Sequence, residues 1–163
     1  MNKCFFCNLN TKGRDELYKN EFFVAHLSNF PVNPGHIELY PRRHFAEFIE
    51  LNKEEASILP DTINNVWREL KQYDFRKYYS EKIKRIDNKA IDYYGQRMLE
   101  LDYIDKHPDG YNLGVNNGLS AGQTVMHLHL HIIPRFSGDL VDSTGGVRNL
   151  MNDLGNYMKH INN

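Results

Sequence analysis

The sequence predicts a single domain over residues 1–163 that contains both strands and helices, because both kinds of pattern occur along the chain and the length suits one domain. Hydrophobic residues make up 40% of the chain and charged residues 25%, which is typical of a globular protein that buries a core without disulfides. The formal net charge is −1, so no general basic field indicates a nucleic-acid partner. We expect any anion-binding site to be local.

The sequence contains no feature that indicates a membrane or an export signal. No apolar run is long enough to cross a bilayer, and the segment after Met1 is too short and too polar for a signal peptide. We therefore expect a cytoplasmic protein without a membrane partner. In a reducing cytoplasm, the Cys4-x-x-Cys7 pair is more typical of a metal clip or a redox pair than of a structural disulfide.

Two short strands are predicted in the first quarter of the chain. Residues 21–27 and 37–40 carry apolar strand formers, and two prolines and a glycine in 29–35 indicate a turn between them. Pro41 is expected to end the second strand.

Helical spacing begins after residue 52 and continues to about residue 70, with acidic residues near its start, where the helix dipole favours them. Pro60 lies inside this run. The helix is therefore either kinked at the proline or begins anew near Asp61, a plausible N-cap.

The charged, tyrosine-rich stretch 74–106 continues the helical pattern and predicts one or two amphipathic helices. One hypothesis is a lid or dimer arm whose cations contact a polyphosphate. The alternative, which we favour because charge runs are usually solvated, is a solvated helical excursion with a modest apolar face. Strands are then predicted at 111–115 and 124–133, followed by an amphipathic tail at 150–158.

The clearest motif is the alternation of His127, His129 and His131 in the last predicted strand. Alternate residues of a strand share one face, so the three imidazoles would line one side while the apolar residues between them enter the core. Packing does not explain such a row, since imidazoles repel when charged. Two chemistries suit it: ligation of a metal ion, or covalent attack of a histidine on phosphorus. The polar, glycine-rich loop 116–123 offers donors for an anion and favours phosphoryl chemistry.

The run from Ala121 to Arg135, with His-x-His-x-His followed by two apolar residues, resembles the signature of the histidine triad (HIT) family. Its flanking residues, including Gly138-Asp139, are most similar to the fragile-histidine-triad and dinucleoside-polyphosphate hydrolase branch. Two further segments, 33–36 and 41–44, resemble the family's strand–turn–strand region, and 4–7 resembles the start of its zinc-containing members.

The resemblance implies an α+β domain with a HIT-like fold, in which helices pack on an antiparallel sheet, and usually a homodimer. The segment around 74–106 departs from the family pattern and is expected to be a helical insertion. By position, His129 is the implied nucleophile, His131 contacts the phosphate or the leaving oxygen, and His127 helps to orient the nucleophile. The resemblance implies further contacts with the nucleotide and its phosphates at Gln123, Thr124, the backbone of Gly122, Asn116 and His36.

Two positions near the predicted site are ambiguous. Ser28 lies where the family usually has Asp or Asn on the ribose hydroxyls, and neighbouring Asn29 is the candidate to compensate. Phe5 and Phe6 either contact a base or pack into the core as part of an N-terminal strand.

Cys4 and Cys7 have the spacing of half a tetrahedral zinc site. The resemblance implies that His44 and His127 complete it, as a closed structural site that holds His127 rigid beside His129. The alternative is two reduced cysteines packed near the N-terminus.

The sequence therefore predicts a nucleotide hydrolase or nucleotidyl transferase that cleaves dinucleoside polyphosphates, such as diadenosine tetraphosphate, through a nucleotidyl-His129 intermediate. One alternative is cleavage of a nucleoside phosphoramidate, and another is a phosphorylase that uses phosphate instead of water. A non-catalytic nucleotide-binding module that signals through partners would not need three histidines. A catalytic metal on all three histidines conflicts with the use of His127 in a zinc site.

Overall fold

The computed structural model describes residues 4–8 and 15–148. Within these residues a five-stranded sheet packs against three α-helices, which confirms the α+β class. The elements in chain order are β1 (Asp15–Lys19), β2 (Phe23–Leu27), β3 (Ile37–Pro41), α1 (Lys53–Leu70), α2 (Phe75–Arg85), α3 (Lys89–Leu99), β4 (Gly110–Val115) and β5 (Leu130–Arg135). The strand order is β1-β2-β3-β5-β4, and every neighbouring pair is antiparallel. The predicted tail at 150–158 lies outside the described residues.

The two faces of the sheet have different roles. Ile37 and Leu39 point toward the helices and belong to the main hydrophobic core. The opposite face carries Tyr40, which packs against Phe6 of the N-terminal turn at 4.4 Å between ring centroids. We call this second face the histidine face, because His129 also packs against Phe6 there, at 5.0 Å.

The boundaries of the last strand differ from the sequence prediction. β5 begins at Leu130 and ends at Arg135, so a strand over 124–133 is wrong at both ends. Pro134 is tolerated within β5 because β3 pairs with β5 only as far as Ile132, so Pro134 has no partner in β3. The Pro134 carbonyl accepts a hydrogen bond from the Asn33 side chain at 2.8 Å, on the side away from β4. The missing N–H faces that same side, where it breaks no ladder bond.

Helix α1 is continuous from Lys53 to Leu70, so a new helix starting at Asp61 is wrong. A capping box defines its start, since the Asn52 side chain accepts from the Glu55 N–H at 2.8 Å and the Glu55 carboxylate accepts from the Asn52 N–H at 2.9 Å. Pro60 lies on the exposed side of the helix, opposite the residues that pack into the core. Packing of that apolar face offsets the single helix bond that the proline removes.

The insertion contains two helices and is part of the core rather than a solvated excursion. Phe75 and Tyr79 of α2 are buried in the main core. The Gly35 N–H donates to the Tyr79 hydroxyl at 3.2 Å, and Gly35 has a φ of +79°. A Cβ at Gly35 would lie 2.5 Å from the Phe75 ring, so this close approach requires glycine.

Several cations of the insertion are already paired within the protein. Lys82 is 2% exposed and lies 3.1 Å from the Asp15 carboxylate, which Arg85 also contacts at 2.6 Å. Arg76 pairs with Asp105 at 2.6 Å. These pairs leave fewer free cations for a polyphosphate than the charge run indicated. Among the described residues, no helix combines the length and the apolar character needed to cross a membrane.

Candidate functional site

The three alternating histidines lie where β5 begins. His131 is within the strand, whereas His127 and His129 precede it in a segment anchored by the Leu128 N–H, which donates to the Phe45 carbonyl at 2.6 Å. Leu128 is fully buried, as are Leu130 and Ile132 of β5. The predicted alternation of histidines and core residues is therefore confirmed, although part of it lies outside the strand.

The hydrogen bonding of His129 assigns its tautomer. His129 Nδ1 lies 2.8 Å from the backbone carbonyl of His127. Because a carbonyl only accepts, Nδ1 carries the proton and Nε2 keeps its lone pair. The ring is 6% exposed and packs against Phe6, so its orientation is restricted. An imidazole held this way presents a nucleophilic nitrogen.

His36 and His131 form a second assigned pair. The Val32 N–H donates to His36 Nδ1 at 3.4 Å, so His36 carries its proton on Nε2. His36 Nε2 donates to His131 Nδ1 at 3.0 Å, which leaves the proton of His131 on its own Nε2. Burial lowers the pKa of His36 to about 3 and that of His131 to about 4, so both rings are neutral at pH 7. His131 therefore offers an N–H donor beside His129. The centroids of the two rings are 5.1 Å apart.

The loop before the triad is held by the Gln123 side chain. Its Oε1 accepts from the Gly118 N–H at 2.8 Å and its Nε2 donates to the Ala46 carbonyl at 2.9 Å. The side chain is 2% exposed, so its amide shapes the loop through backbone contacts. Thr124 is exposed, and Asn116 donates to the Gly122 carbonyl at 3.5 Å. Direct contacts of these residues with phosphate stay predictions.

The ambiguous position Ser28 is 2% exposed and bound on both sides. Its hydroxyl donates to the Glu38 carboxylate at 3.0 Å and accepts from the Phe30 N–H at 3.2 Å. The neighbouring Asn29 has a buried Oδ1 without a hydrogen-bond partner among residues 4–8 and 15–148. Glu38 was missed in the sequence, although a carboxylate in the apolar strand Ile37–Pro41 is a signal that could have revealed it.

Four predicted metal ligands converge beside the triad. The ligand atoms of Cys4, Cys7, His44 and His127 all lie within 4.8 Å of one another. His127 Nδ1 is 3.4 Å from Cys4 Sγ, 3.5 Å from Cys7 Sγ and 3.2 Å from His44 Nδ1. The three separations from His127 Nδ1 are close to the edges of a tetrahedral zinc site, which are roughly 3.3 to 3.8 Å for such ligands.

The protonation of the cluster also fits a metal ion. His127 Nε2 donates to the Pro41 carbonyl at 2.8 Å, which turns the lone pair of Nδ1 toward the cysteines. Burial lowers the pKa of His127 and favours the neutral ring that a ligand requires. Burial and the neighbouring Cys4 raise the pKa of the Cys7 thiol, and a nearby cation would favour its thiolate form.

Comparisons with known proteins agree with this geometry. The sequence model of the HIT domain family matches residues 12–138. A HIT-like protein of Methanocaldococcus jannaschii, described as uncharacterized, is 30% identical over 162 residues, which cover 97% of this chain and 98% of that protein. The AP-4-A phosphorylase of Mycobacterium tuberculosis is 26% identical over 122 residues, which cover 74% of this chain and 46% of the phosphorylase.

Solved structures share the fold. A protein from Streptococcus mutans superposes with a TM-score of 0.57 at 26% identity, covering 87% of this chain and 71% of that one. A zinc-bound histidine triad family protein from Mycobacterium smegmatis superposes with a TM-score of 0.55 at 23% identity, covering 86% and 80%. Because the family model spans most of the sequence and a relative matches it nearly end to end, the chain belongs to the HIT domain family.

Proposed function

We propose that this protein is a nucleotide hydrolase or nucleotidyl transferase that cleaves dinucleoside polyphosphates, such as diadenosine tetraphosphate, through a nucleotidyl-His129 intermediate. The observation that carries the proposal is the 2.8 Å hydrogen bond from His129 Nδ1 to the His127 carbonyl, which leaves Nε2 free to attack phosphorus. Similarity to a protein named AP-4-A phosphorylase supports the substrate class.

The reaction has two steps that share one phosphorus atom. In the first, His129 Nε2 attacks phosphorus, so a P–N bond forms and the P–O bond to the leaving nucleotide breaks. The ring then carries a positive charge, which the His127 carbonyl stabilises through the Nδ1 proton. In the second, water attacks phosphorus, the P–N bond breaks, and the water proton passes to solvent as neutral His129 is restored.

His131 serves the same reaction as a hydrogen-bond donor. Its Nε2–H, assigned through His36, can bind a phosphoryl oxygen or the leaving oxygen as negative charge develops there. A neutral ring is suited to this role because it donates without trapping the product as a tight ion pair. A module that only binds nucleotides would not need hydrogen bonds that fix the ring protons of His129 and His131.

Two further reactions use the same intermediate. A phosphoramidate substrate changes only the leaving group, and phosphate in place of water changes only the acceptor, as the name of the mycobacterial phosphorylase indicates for that protein. Product analysis separates them, since hydrolysis of diadenosine tetraphosphate yields AMP and ATP, whereas phosphorolysis yields ADP and ATP.

We also propose that Cys4, Cys7, His44 and His127 hold a structural zinc ion. Bound zinc would supply a fixed cation that keeps both thiols deprotonated. The four side chains hold the His127 backbone, and through its carbonyl they orient His129.

The proposed function is tested by the His129→Ala variant on diadenosine tri- and tetraphosphate and on an adenosine phosphoramidate. We expect turnover to fall by at least about a thousandfold because the nucleophile is gone, while AMP binding persists. His107→Ala, an exposed histidine outside the site, is the control and should keep full activity. Near-normal turnover by His129→Ala would overturn the nucleophile assignment.

A further inference from the structure

Glu38 carries a carboxylate beside the histidine triad, and this carboxylate has no part in the chemistry proposed above. Glu38 of β3 is directly opposite His131 of β5 and directly opposite His26 of β2. Directly opposed residues of antiparallel strands point to the same face of a sheet. The Glu38 side chain therefore stands on the histidine face, in the row between these two rings.

This carboxylate is held at one oxygen and open at the other. The Ser28 hydroxyl donates to Glu38 Oε1 at 3.0 Å. In the part of the chain that the structure describes, Glu38 Oε2 has no hydrogen-bond partner, and the residue is only half-buried. The Lys82 ammonium attracts the Glu38 carboxylate from a distance. Its direct contacts are with Asp15 at 3.1 Å and the Tyr78 hydroxyl at 2.6 Å, and within the described residues it forms no ion pair with Glu38. Glu38 thus keeps acceptor capacity for a ligand.

The charge of Glu38 decides which part of a nucleotide can lie against it. Phosphate groups are anions, and a carboxylate a few ångströms away would repel them. The groups of a nucleotide that a carboxylate binds are its neutral donors, which are the sugar hydroxyls and the N–H groups of the base. When phosphorus lies at His129 and a phosphoryl oxygen at His131, the neutral group nearest to the phosphate is the sugar.

We propose that Glu38 binds the ribose hydroxyls of the nucleotide that is transferred to His129, and that Ser28 positions the carboxylate. Two adjacent hydroxyls match the acceptor oxygens of one carboxylate, a pairing that proteins use for ribose. The proposal rests on the proposed function and deepens it. Glu38 selects ribonucleotides over deoxyribonucleotides, and the leaving phosphates extend away from it, toward the loop at 116–124.

The test is equilibrium binding, measured by calorimetry, of AMP and of 2′,3′-dideoxy-AMP to the full chain. We expect the unmodified protein to bind AMP about tenfold to a hundredfold more tightly, as hydrogen bonds to a charged group predict. In Glu38→Gln this preference should fall to about threefold or less, because AMP binding weakens while binding of the dideoxy nucleotide is unchanged. Ser28→Ala should lose part of the preference, since the carboxylate is then less restricted.

The control is Glu69→Gln, which removes an exposed carboxylate on α1 and should keep the full preference. Equal binding of AMP and its dideoxy form by the unmodified protein overturns the proposal without any variant. Repeating the measurements with GMP separates sugar from base: if Glu38→Gln changes the ratio of AMP to GMP binding but not the ribose preference, Glu38 contacts the base and the proposal is wrong.

The outcomes also separate this inference from the proposed function. A ribose preference that depends on Glu38, in a protein that cleaves no nucleotide, supports the inference and contradicts the proposed activity. Cleavage that is equally efficient for ribo- and dideoxynucleotide substrates contradicts the inference alone. A protein that binds neither AMP nor GMP contradicts both.

Discussion

Backbone carbonyl and amide groups give three identical side chains different positions of the ring proton. The carbonyl of His127 places the proton of His129 on Nδ1, and the carbonyl of Pro41 places the proton of His127 on Nε2. The Val32 N–H acts through His36 to place the proton of His131 on Nε2. The His129 ring keeps a lone pair on Nε2, the His127 ring directs a lone pair toward Cys4 and Cys7, and the His131 ring presents an N–H donor.

The buried pair His36–His131 predicts a pH dependence of stability. In the folded protein the pKa of His36 is about 3, against 6.5 for the free side chain. Between these values the unfolded chain binds a proton that the folded chain does not, so the free energy of unfolding decreases as the pH falls below 6.5. For one such group the slope is at most about 1.4 kcal/mol per pH unit.

His36→Gln removes this titration while keeping a side-chain amide that can donate to His131. We expect the variant to lose less stability than the unmodified protein between pH 6.5 and pH 4.5, measured by urea unfolding. His107→Gln, an exposed histidine, should retain the original slope. Identical slopes for His36→Gln and the unmodified protein would mean that His36 does not remain neutral when buried.

At the scale of elements, three segments that are distant in sequence meet at the candidate metal site formed by Cys4, Cys7, His44 and His127. These are the N-terminal turn at 4–7, the segment after β3 that carries His44, and the segment before β5 that carries His127. None of them is a long element with its own apolar face. A bound ion would therefore contribute stability that packing does not supply.

We expect one zinc ion per chain, measured by elemental analysis, and a lower melting temperature after chelation. Free zinc at about a hundred times its dissociation constant stabilises a fold by about 2.7 kcal/mol, which for a domain of this size is about 5 to 11 °C. Cys4→Ser and Cys7→Ser should abolish this zinc-dependent shift, whereas His107→Ala should keep it. A preparation without metal that is fully folded and active would contradict a structural zinc site.

At the scale of the whole molecule, the outer edge of β4 is the candidate dimer surface. β4 is the last strand of the sheet, and within the described ranges no further strand pairs with it. Next to this edge, an apolar groove between α1 and β4 is lined by Phe48, Pro60, Tyr111 and Leu113. Two copies of one edge strand can pair antiparallel around a twofold axis. We therefore propose a homodimer formed through β4.

Leu113→Glu tests this surface, because Leu113 is 40% exposed and its replacement should not disturb the core of one subunit. We expect sedimentation analysis to give a dimer for the unmodified protein and a monomer for the variant, since a buried charge at the edge is unpaired. Tyr93→Glu, at an exposed position of α3, should remain dimeric. A variant of Leu113 that is still dimeric would place the interface elsewhere.

The sequence by itself determined the features that depend on local pattern. Alternation of histidine and apolar residues in 127–132 predicted which residues enter the core. The resemblance carried by 4–7, 41–44 and His127 predicted the four side chains that converge. The first prediction held because the period of a strand fixes side-chain direction locally. The second held because the sequence motifs of a family mark positions that its fold brings together.

The tertiary structure decided what depends on contacts between distant segments. β1 was not predicted because Asp15–Lys19 is largely polar, and pairing with β2 is what makes it a strand. α2 packs into the core because Gly35, which has no Cβ, leaves room for the Phe75 ring, and because Asp15 forms an ion pair with the buried Lys82. Glu38 acquired its place beside His131 only through strand register. Such relations follow from which segments are neighbours in space, and local sequence does not encode that.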